Sequence, residues 1–116
     1  MELVFIRSNE DFENVASLVF KSLGIGQFLE GESQNVLGGH YYSFSVFGIE
    51  IKLEINSYDY EDEYKYMVQI KNDFVTPLNG ATEIEYLFSE LVLKLFKNNL
   101  DMTIAIERND MLIRIK

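Results

Sequence analysis

The chain has 116 residues and a net charge of −9, from 19 acidic and ten basic residues, and 47% of its residues are hydrophobic. These values predict one folded domain and argue against intrinsic disorder. The chain has no cysteine, which excludes a disulfide framework and thiolate chemistry. No apolar run reaches the ~18–20 residues that span a bilayer, and the first residues lack a secretory signal. We therefore expect a cytoplasmic protein with no membrane partner.

The negative charge is concentrated in the first half of the chain. Residues 1–63 hold 12 acids and three bases, a charge of −9, whereas residues 64–116 hold seven acids and seven bases. Surfaces that bind DNA or RNA are basic, so we expect no nucleic-acid partner. A one-sided acidic field attracts basic proteins and speeds their association, although acidity can also serve solubility alone.

A strand and then a helix are predicted at the start of the chain. The apolar run of residues 3–6 predicts a short strand. Ser8 and Asn9 suit the start of a helix, and apolar residues then recur at helical spacing as far as Leu23. Two glycines follow and end the pattern. We therefore expect the first helix to span Asn9–Leu23.

Four strands are predicted in the middle of the chain. Residues 34–37 predict the first strand, and Gly38-Gly39 permits the positive φ of a hairpin turn before a strand over residues 41–47. Residues 49–56 alternate strictly between apolar and polar side chains, which indicates a strand with one buried and one wet face. Residues 64–71 alternate in the same way.

A helix and a hairpin are predicted in the last third of the chain. Thr82 and Glu85 match a capping box, and the apolar stripe that follows predicts a helix over Thr82–Asn98. Residues 102–107 and 111–116 then predict two strands joined by a short turn.

These elements predict a single α+β domain over residues 1–116, in the order β-α-β-β-β-β-α-β-β. We expect one mainly antiparallel sheet of about five to six strands, with two helices on one face. The other face, lined by Glu50, Lys52 and Glu54, is left to water or to a partner.

The most distinctive segment of the sequence is residues 56–64, between two of the predicted strands. Four carboxylates and three tyrosines lie between Tyr58 and Tyr64. These carboxylates and tyrosines, together with the polar side of the preceding strand, predict an acidic face. The carboxylates would attract Lys and Arg side chains of a partner protein, and the tyrosine rings would form cation–π contacts with them. The predicted partner-binding residues are Glu50, Glu54, Tyr58, Asp59, Tyr60, Glu61, Asp62 and Glu63. The alternative is a solvated loop that binds nothing.

No cofactor, metal site or catalytic residue is predicted. The acids in residues 59–63 depart from the EF-hand order and lack its central glycine. The single histidine, His40, has no cysteine or second histidine with which to bind zinc. We interpret His40, beside Gly38-Gly39, as a turn residue, and its closeness to Ser43 and Ser45 as a coincidence of neighbours and not as part of a catalytic triad.

Two alternative functions stay open. A small ligand-binding or enzymatic domain requires a deep pocket with convergent polar groups. Its candidate aromatic residues are Tyr41, Tyr42, Phe44 and Phe47. A subunit of a larger assembly would instead expose an apolar patch.

Three motifs within residues 38–72 carry a family resemblance. They are Gly38-Gly39-His40-Tyr41-Tyr42, Phe47-Gly48-Ile49-Glu50-Ile51 and the run from Leu53 to Asp62. In these motifs, and in its short, acidic, cysteine-free character, the chain resembles small bacterial immunity proteins of contact-dependent growth inhibition and other polymorphic toxin systems. The resemblance implies a cytoplasmic protein that neutralises one cognate toxin, commonly a nuclease, by covering its basic active site. It assigns no individual binding residue, and the oligomeric state stays open.

Overall fold

A computed structural model describes residues 1–74, 76 and 78–116 of the chain. One antiparallel sheet of seven strands carries two α-helices on one of its faces. The α+β class is thus confirmed, but the sheet has more strands than the five to six that were predicted, since both short edge strands belong to it.

The elements follow one another along the chain with short connections. They are β1 (Glu2–Arg7), α1 (Phe12–Ser22), β2 (Leu29–Glu32), β3 (His40–Val46), β4 (Ile49–Ile55), β5 (Tyr66–Asn72), α2 (Ala81–Asn99), β6 (Thr103–Arg108) and β7 (Met111–Arg114). The strand order in the sheet is β2-β3-β4-β5-β1-β6-β7, so the first strand of the chain lies in the interior, between β5 and β6.

β2 differs most from its prediction. It was expected over residues 34–37, but the strand lies at Leu29–Glu32 and pairs antiparallel with β3. This segment has no clear alternation, and its pairing depends on a tertiary contact. A Cβ atom built on Gly31 would lie 2.2 Å from Cζ of Tyr41, so only glycine leaves room for the Tyr41 ring across the strand.

Both helices lie close to their predicted ranges, but their N-termini are capped differently. Asp11, and not Ser8 or Asn9, caps α1, where its carboxylate accepts a hydrogen bond of 2.9 Å from the Asn14 N–H. No side chain caps α2, which follows Gly80, so the predicted capping box of Thr82 and Glu85 is wrong. α2 begins one residue earlier than predicted, and Glu85 lies on its buried side.

Glu85 binds two backbone groups from other parts of the fold. Its Oε1 lies 2.6 Å from the N-terminal ammonium of Met1, and its Oε2 accepts a hydrogen bond of 2.7 Å from the Asn72 N–H. Burial alone would raise the pKa of Glu85, but these hydrogen bonds and the ammonium charge outweigh it and hold the pKa below its ordinary value of 4.5. Glu85 therefore ties α2 to the start of β1 and the end of β5.

The apolar side chains form one cluster on each face of the sheet. The larger cluster lies between the sheet and the two helices and includes Val4, Ile6, Leu53, Val68 and Phe96. The smaller cluster lies on the helix-free face and consists of Leu3, Phe5, Tyr64, Met67 and Ala105, with Tyr60 and Leu112 packed against it. The face that was expected to be wet is therefore partly covered.

The Glu85→Gln substitution is expected to lower the free energy of unfolding at pH 7 by about 1–3 kcal/mol, because it removes the ion pair with the N-terminal ammonium and weakens the hydrogen bonds to the half-buried Asn72. The folded-state pKa of Glu85 is depressed, so its contribution is fully present above the ordinary pKa and is lost as the pH falls through the folded-state pKa. Urea unfolding between neutral and acidic pH measures both effects. The exposed Glu83→Gln variant is the matched control, and an equal loss in both variants would contradict the assignment.

Candidate functional site

The acidic segment, residues 56–65 between β4 and β5, folds back onto the helix-free face of the sheet. The rings of Tyr60 and Tyr64 pack against Phe5, with ring centroids 5.6 Å and 6.2 Å from the Phe5 centroid. Tyr64 is buried and Tyr60 is half-buried, whereas Tyr58 is exposed. Of the two tyrosines among the predicted partner-binding residues, Tyr60 anchors the segment and Tyr58 faces solvent.

The side chain of Asn56 holds the acidic segment in shape. Only 2% of Asn56 is exposed. Its Nδ2 donates hydrogen bonds to the carbonyl oxygens of Asp59 and Tyr64, at 3.0 Å and 2.8 Å. Its Oδ1 accepts a hydrogen bond of 2.9 Å from the Tyr58 N–H. One buried amide thus connects the beginning, middle and end of the segment.

The backbone of the acidic segment turns sharply at Tyr60. This residue has a φ of 67°, in the left-handed region that side chains other than glycine seldom occupy. Its carbonyl oxygen accepts hydrogen bonds from the N–H groups of Glu63 and Tyr64, at 3.0 Å and 2.7 Å. The turn, the amide of Asn56 and the packed tyrosine rings fix the conformation of the segment in the absence of a partner.

The carboxylates of the acidic segment point away from the sheet. Asp59, Glu61, Asp62 and Glu63 are all exposed. Glu63 accepts a hydrogen bond of 2.9 Å from Nη2 of Arg7. For the other three carboxylates, the described part of the chain provides no ion pair, so their negative charge faces solvent.

Glu50 and Glu54 do not extend this surface. Glu54 is only 4% exposed; its Oε1 accepts a hydrogen bond of 2.8 Å from Gln69, and its Oε2 lies 3.5 Å from Nζ of Lys52. Glu50 lies at the other end of β4, with its carboxylate 3.7 Å from Nζ of Lys71. The polar side of β4 is thus occupied by pairs within the sheet.

The sheet topology brings other acids to the acidic segment. Tyr66 at the start of β5 is opposite both Ile55 and Ile6, and Ile6 is opposite Ile104 near the start of β6. The connections before α1 and before β6 therefore emerge at the same end of the sheet as the acidic segment. Tyr66 also ties the first of these connections to β5, because its Oη donates a hydrogen bond of 2.8 Å to the Glu10 carbonyl.

We call this end of the sheet the acidic end. Its exposed carboxylates are those of Glu10, Asp11, Glu13, Asp59, Glu61, Asp62, Glu63 and Asp101. The bases in the same connections are Arg7 and Lys65. In the sequence, the acids before and within α1 are explained by the helix dipole, and nothing local indicates that they lie beside the acidic segment.

Acids of both the acidic end and β2 act on a tyrosine of the main hydrophobic core. Burial raises the pKa of Tyr42 above its ordinary value of 10.0, and nearby carboxylate charges raise it further. Those carboxylates belong to Glu30, Glu13 and Asp11. Tyr42 therefore feels the negative charge of β2, through Glu30, and that of the acidic end, through Glu13 and Asp11.

The four aromatic residues considered for a ligand pocket do not converge. Tyr42 lies in the main core, Tyr41 covers Gly31 and Lys52, and Phe47 is 86% exposed in the turn between β3 and β4. The hollow that contains Phe44 is lined by residues 26–29 and 43–45 and holds no titratable side chain. His40 is exposed, with its Nδ1 3.9 Å from a Glu32 oxygen.

Among the described residues there is neither a metal-binding cluster nor a membrane-spanning helix. No group of three or more His, Cys, Asp and Glu side chains is arranged to hold a metal ion. None of the helices has both the length and the apolar character that crossing a membrane requires.

No protein-family model, no curated protein and no solved structure matches this chain.

The Asn56→Ala substitution is expected to loosen the acidic segment, because it removes three hydrogen bonds and leaves buried backbone groups unpaired. We expect a loss of about 1–3 kcal/mol in the free energy of unfolding. Hydrogen exchange of residues 58–64 should accelerate more than exchange in the rest of the sheet. The exposed Asn98→Ala variant is the control. If exchange in residues 58–64 stayed at its original rate, Asn56 would not be the residue that holds the segment.

Proposed function

We propose that this protein is an immunity protein that binds a cognate bacterial toxin through its acidic end and neutralises it. The observation that carries the proposal is the acidic segment, which is held in one conformation while Asp59, Glu61 and Asp62 point into solvent. The toxin would present a basic surface, as the active site of a nuclease does. In this proposal the protein is cytoplasmic, performs no catalysis, needs no cofactor, and binds neither nucleic acid nor membrane.

The energetics of the acidic end favour binding over a purely structural role. Like charges that are held close together repel one another and oppose the compact fold. A basic partner would relieve this repulsion. Because Asn56 and the turn at Tyr60 already order the backbone of the segment, binding would avoid much of the cost of ordering that backbone.

The chemistry of the exposed residues fits lysine and arginine side chains. Carboxylates accept charge-assisted hydrogen bonds from guanidinium groups, often in pairs. The exposed ring of Tyr58 offers a face for a cation–π contact beside them. Tyr60 packs beneath the acidic segment against Phe5, and Glu54 is buried within the sheet. We therefore assign neither residue a direct contact with the partner.

Glu50 and Glu63 were also predicted as partner-binding residues, but the proposal treats them differently. Glu63 already pairs with Arg7, so a partner's base would have to replace this pair. Glu50 lies at the far end of β4 and is outside the proposed interface. The hollow that contains Phe44 has the polar side chains of Gln27, Ser43 and Ser45, but none of the other three candidate aromatic residues lines it. We therefore favour the immunity function over the ligand-binding or enzymatic alternative.

The Asp59→Asn, Glu61→Gln, Asp62→Asn triple variant should weaken toxin binding by about 2–5 kcal/mol, the usual cost of truncating one side of buried charge pairs. The proposal predicts a toxin gene next to the gene of this protein; the toxin domain that such a gene encodes is the partner to use, and calorimetry measures the affinity. Co-expression with the toxin should show that the parent protein protects cell growth and that the triple variant protects less.

The control is the Glu50→Gln, Glu83→Gln, Glu107→Gln triple variant, which changes the net charge by the same amount away from the acidic end. It should bind with nearly the affinity of the parent protein. If the two triple variants bound equally well, the interface would lie elsewhere. If the parent protein neither bound the toxin domain nor protected the cell, the proposed function would be wrong.

A further inference from the structure

β7 is an edge strand with an apolar outer surface. It is the last strand in the sheet order, and within the described part of the chain its outer side pairs with no other strand. Met111 is 66% exposed and Ile113 is 45% exposed. Exposed apolar edges of this kind can pair with another strand, and stable monomers limit such pairing with charged side chains, short strands or bulges.

The opposite edge of the sheet is protected in that way. β2 is as short as β7, but it carries the exposed carboxylates of Glu30 and Glu32 on either side of Gly31. Two copies of β2 would repel each other if they paired. Among its four residues, β7 has one charged side chain, Arg114. Pairing with another strand is therefore less opposed by charge at β7 than at β2.

The register of the last hairpin shows which backbone groups of β7 face outward. Arg108 is opposite Met111 across a turn in which Asn109 and Asp110 both have positive φ, as in a two-residue hairpin. The pair that closes such a turn exchanges hydrogen bonds, and the pattern then alternates along the strands. The N–H and C=O groups of Leu112 and Arg114 therefore point away from β6.

A β-bulge limits the length of this free edge. The N–H groups of Ile115 and Lys116 both donate to the carbonyl oxygen of Ile104, at 2.9 Å and 3.1 Å. Ile115 and Lys116 thus both lie opposite Ile104, and this bulge bends the chain after Arg114. The regular part of the outer edge is Met111–Arg114.

We propose that the outer edge of β7 pairs antiparallel with β7 of a second copy of this chain. A twofold axis through Ile113 would place Ile113 opposite Ile113 of the second copy, and Leu112 opposite Arg114 of the second copy. Both outward-facing residues would then exchange hydrogen bonds in both copies. A register centred on Leu112 would bring Arg114 opposite Asp110, which lies in the turn, and would form fewer hydrogen bonds.

The distribution of charge favours a second copy as the occupant of this edge. Residues 64–116, which include β6, β7 and α2, have no net charge, so two copies that meet at this edge would repel each other less than two copies that meet at their acidic ends. The antiparallel arrangement also points the two acidic ends in opposite directions. The dimer is thus compatible with the proposed function but does not rest on it.

The surface beside β7 would continue across the twofold axis. A groove between α2 and β7 is lined by Leu93, Ile106, Ile113 and Ile115, with Lys94 and Lys97 on the side of α2. A twofold axis perpendicular to the sheet keeps the helices of both copies on the same face. The apolar floors of the two grooves would therefore adjoin at the paired Ile113 side chains and shield each other from water.

Analytical ultracentrifugation of the parent chain and two lysine variants tests the proposal. At about 100 µM, a concentration that detects even weak association, the parent chain should sediment as a dimer. The Met111→Lys variant should dissociate about tenfold more readily or more, since it places a charge on the pairing edge. The Leu29→Lys variant, with a similarly exposed residue on the other edge, should remain a dimer. A monomeric parent chain, with or without a different protein on this edge, would overturn the proposal.

Single cysteines test the register, because the chain has no cysteine of its own. The Ile113→Cys variant should form a disulfide-linked dimer on mild oxidation. Opposite residues of a non-hydrogen-bonded pair have Cα atoms about 4.5 Å apart, which a disulfide can span. The Arg114→Cys and Leu29→Cys variants should link much more slowly. Equal rates in all three variants, with circular dichroism showing that each is folded, would contradict the pairing.

Discussion

β1 is apolar on both of its faces, and this constraint shapes the rest of the structure. Val4 and Ile6 face the helices, while Leu3 and Phe5 face the other way. A strand buried on both sides must be covered on both sides, since each buried apolar side chain contributes about 1.5–3 kcal/mol. The helices cover the first face. Tyr60 and Tyr64 of the acidic segment cover the second, so the segment's carboxylates are directed outward.

The interior position of β1 also determines where the charge collects. β1 lies between β5 and β6. The C-terminal end of β1 therefore lies beside three connections: the one that follows it before α1, the acidic segment before β5, and the one before β6. Acids that are distant in the sequence, such as Glu10, Asp62 and Asp101, are thereby placed at one end of the sheet. The two edges are left to β2 and β7, of which one is acidic and the other apolar. One strand order thus generates a charged surface and a separate edge suited to pairing.

Buried polar groups hold this arrangement together at a few points. The amide of Asn56 fixes the acidic segment, and the carboxylate of Glu85 joins α2 to β1 and β5. Both lie in places where an unpaired polar atom would be costly. Asn56 thereby holds the backbone of the acidic segment in a fixed arrangement, and Glu85 secures the opposite end of the sheet.

The sequence by itself determined the α+β class, most of the strands and both helices, because alternation and helical spacing are local patterns. It also identified the acidic segment, whose composition is local. Only the tertiary structure decided that Glu54 and Glu85 are buried, that Tyr60 is an anchor while Tyr58 is exposed, and that β2 lies at Leu29–Glu32. These outcomes depend on which side chains and strands meet in the folded protein, some adjacent along the chain and others distant, and periodicity does not encode these contacts. For the same reason, the joining of Glu10, Asp11, Glu13 and Asp101 to the acidic segment became visible only once the sheet order was known.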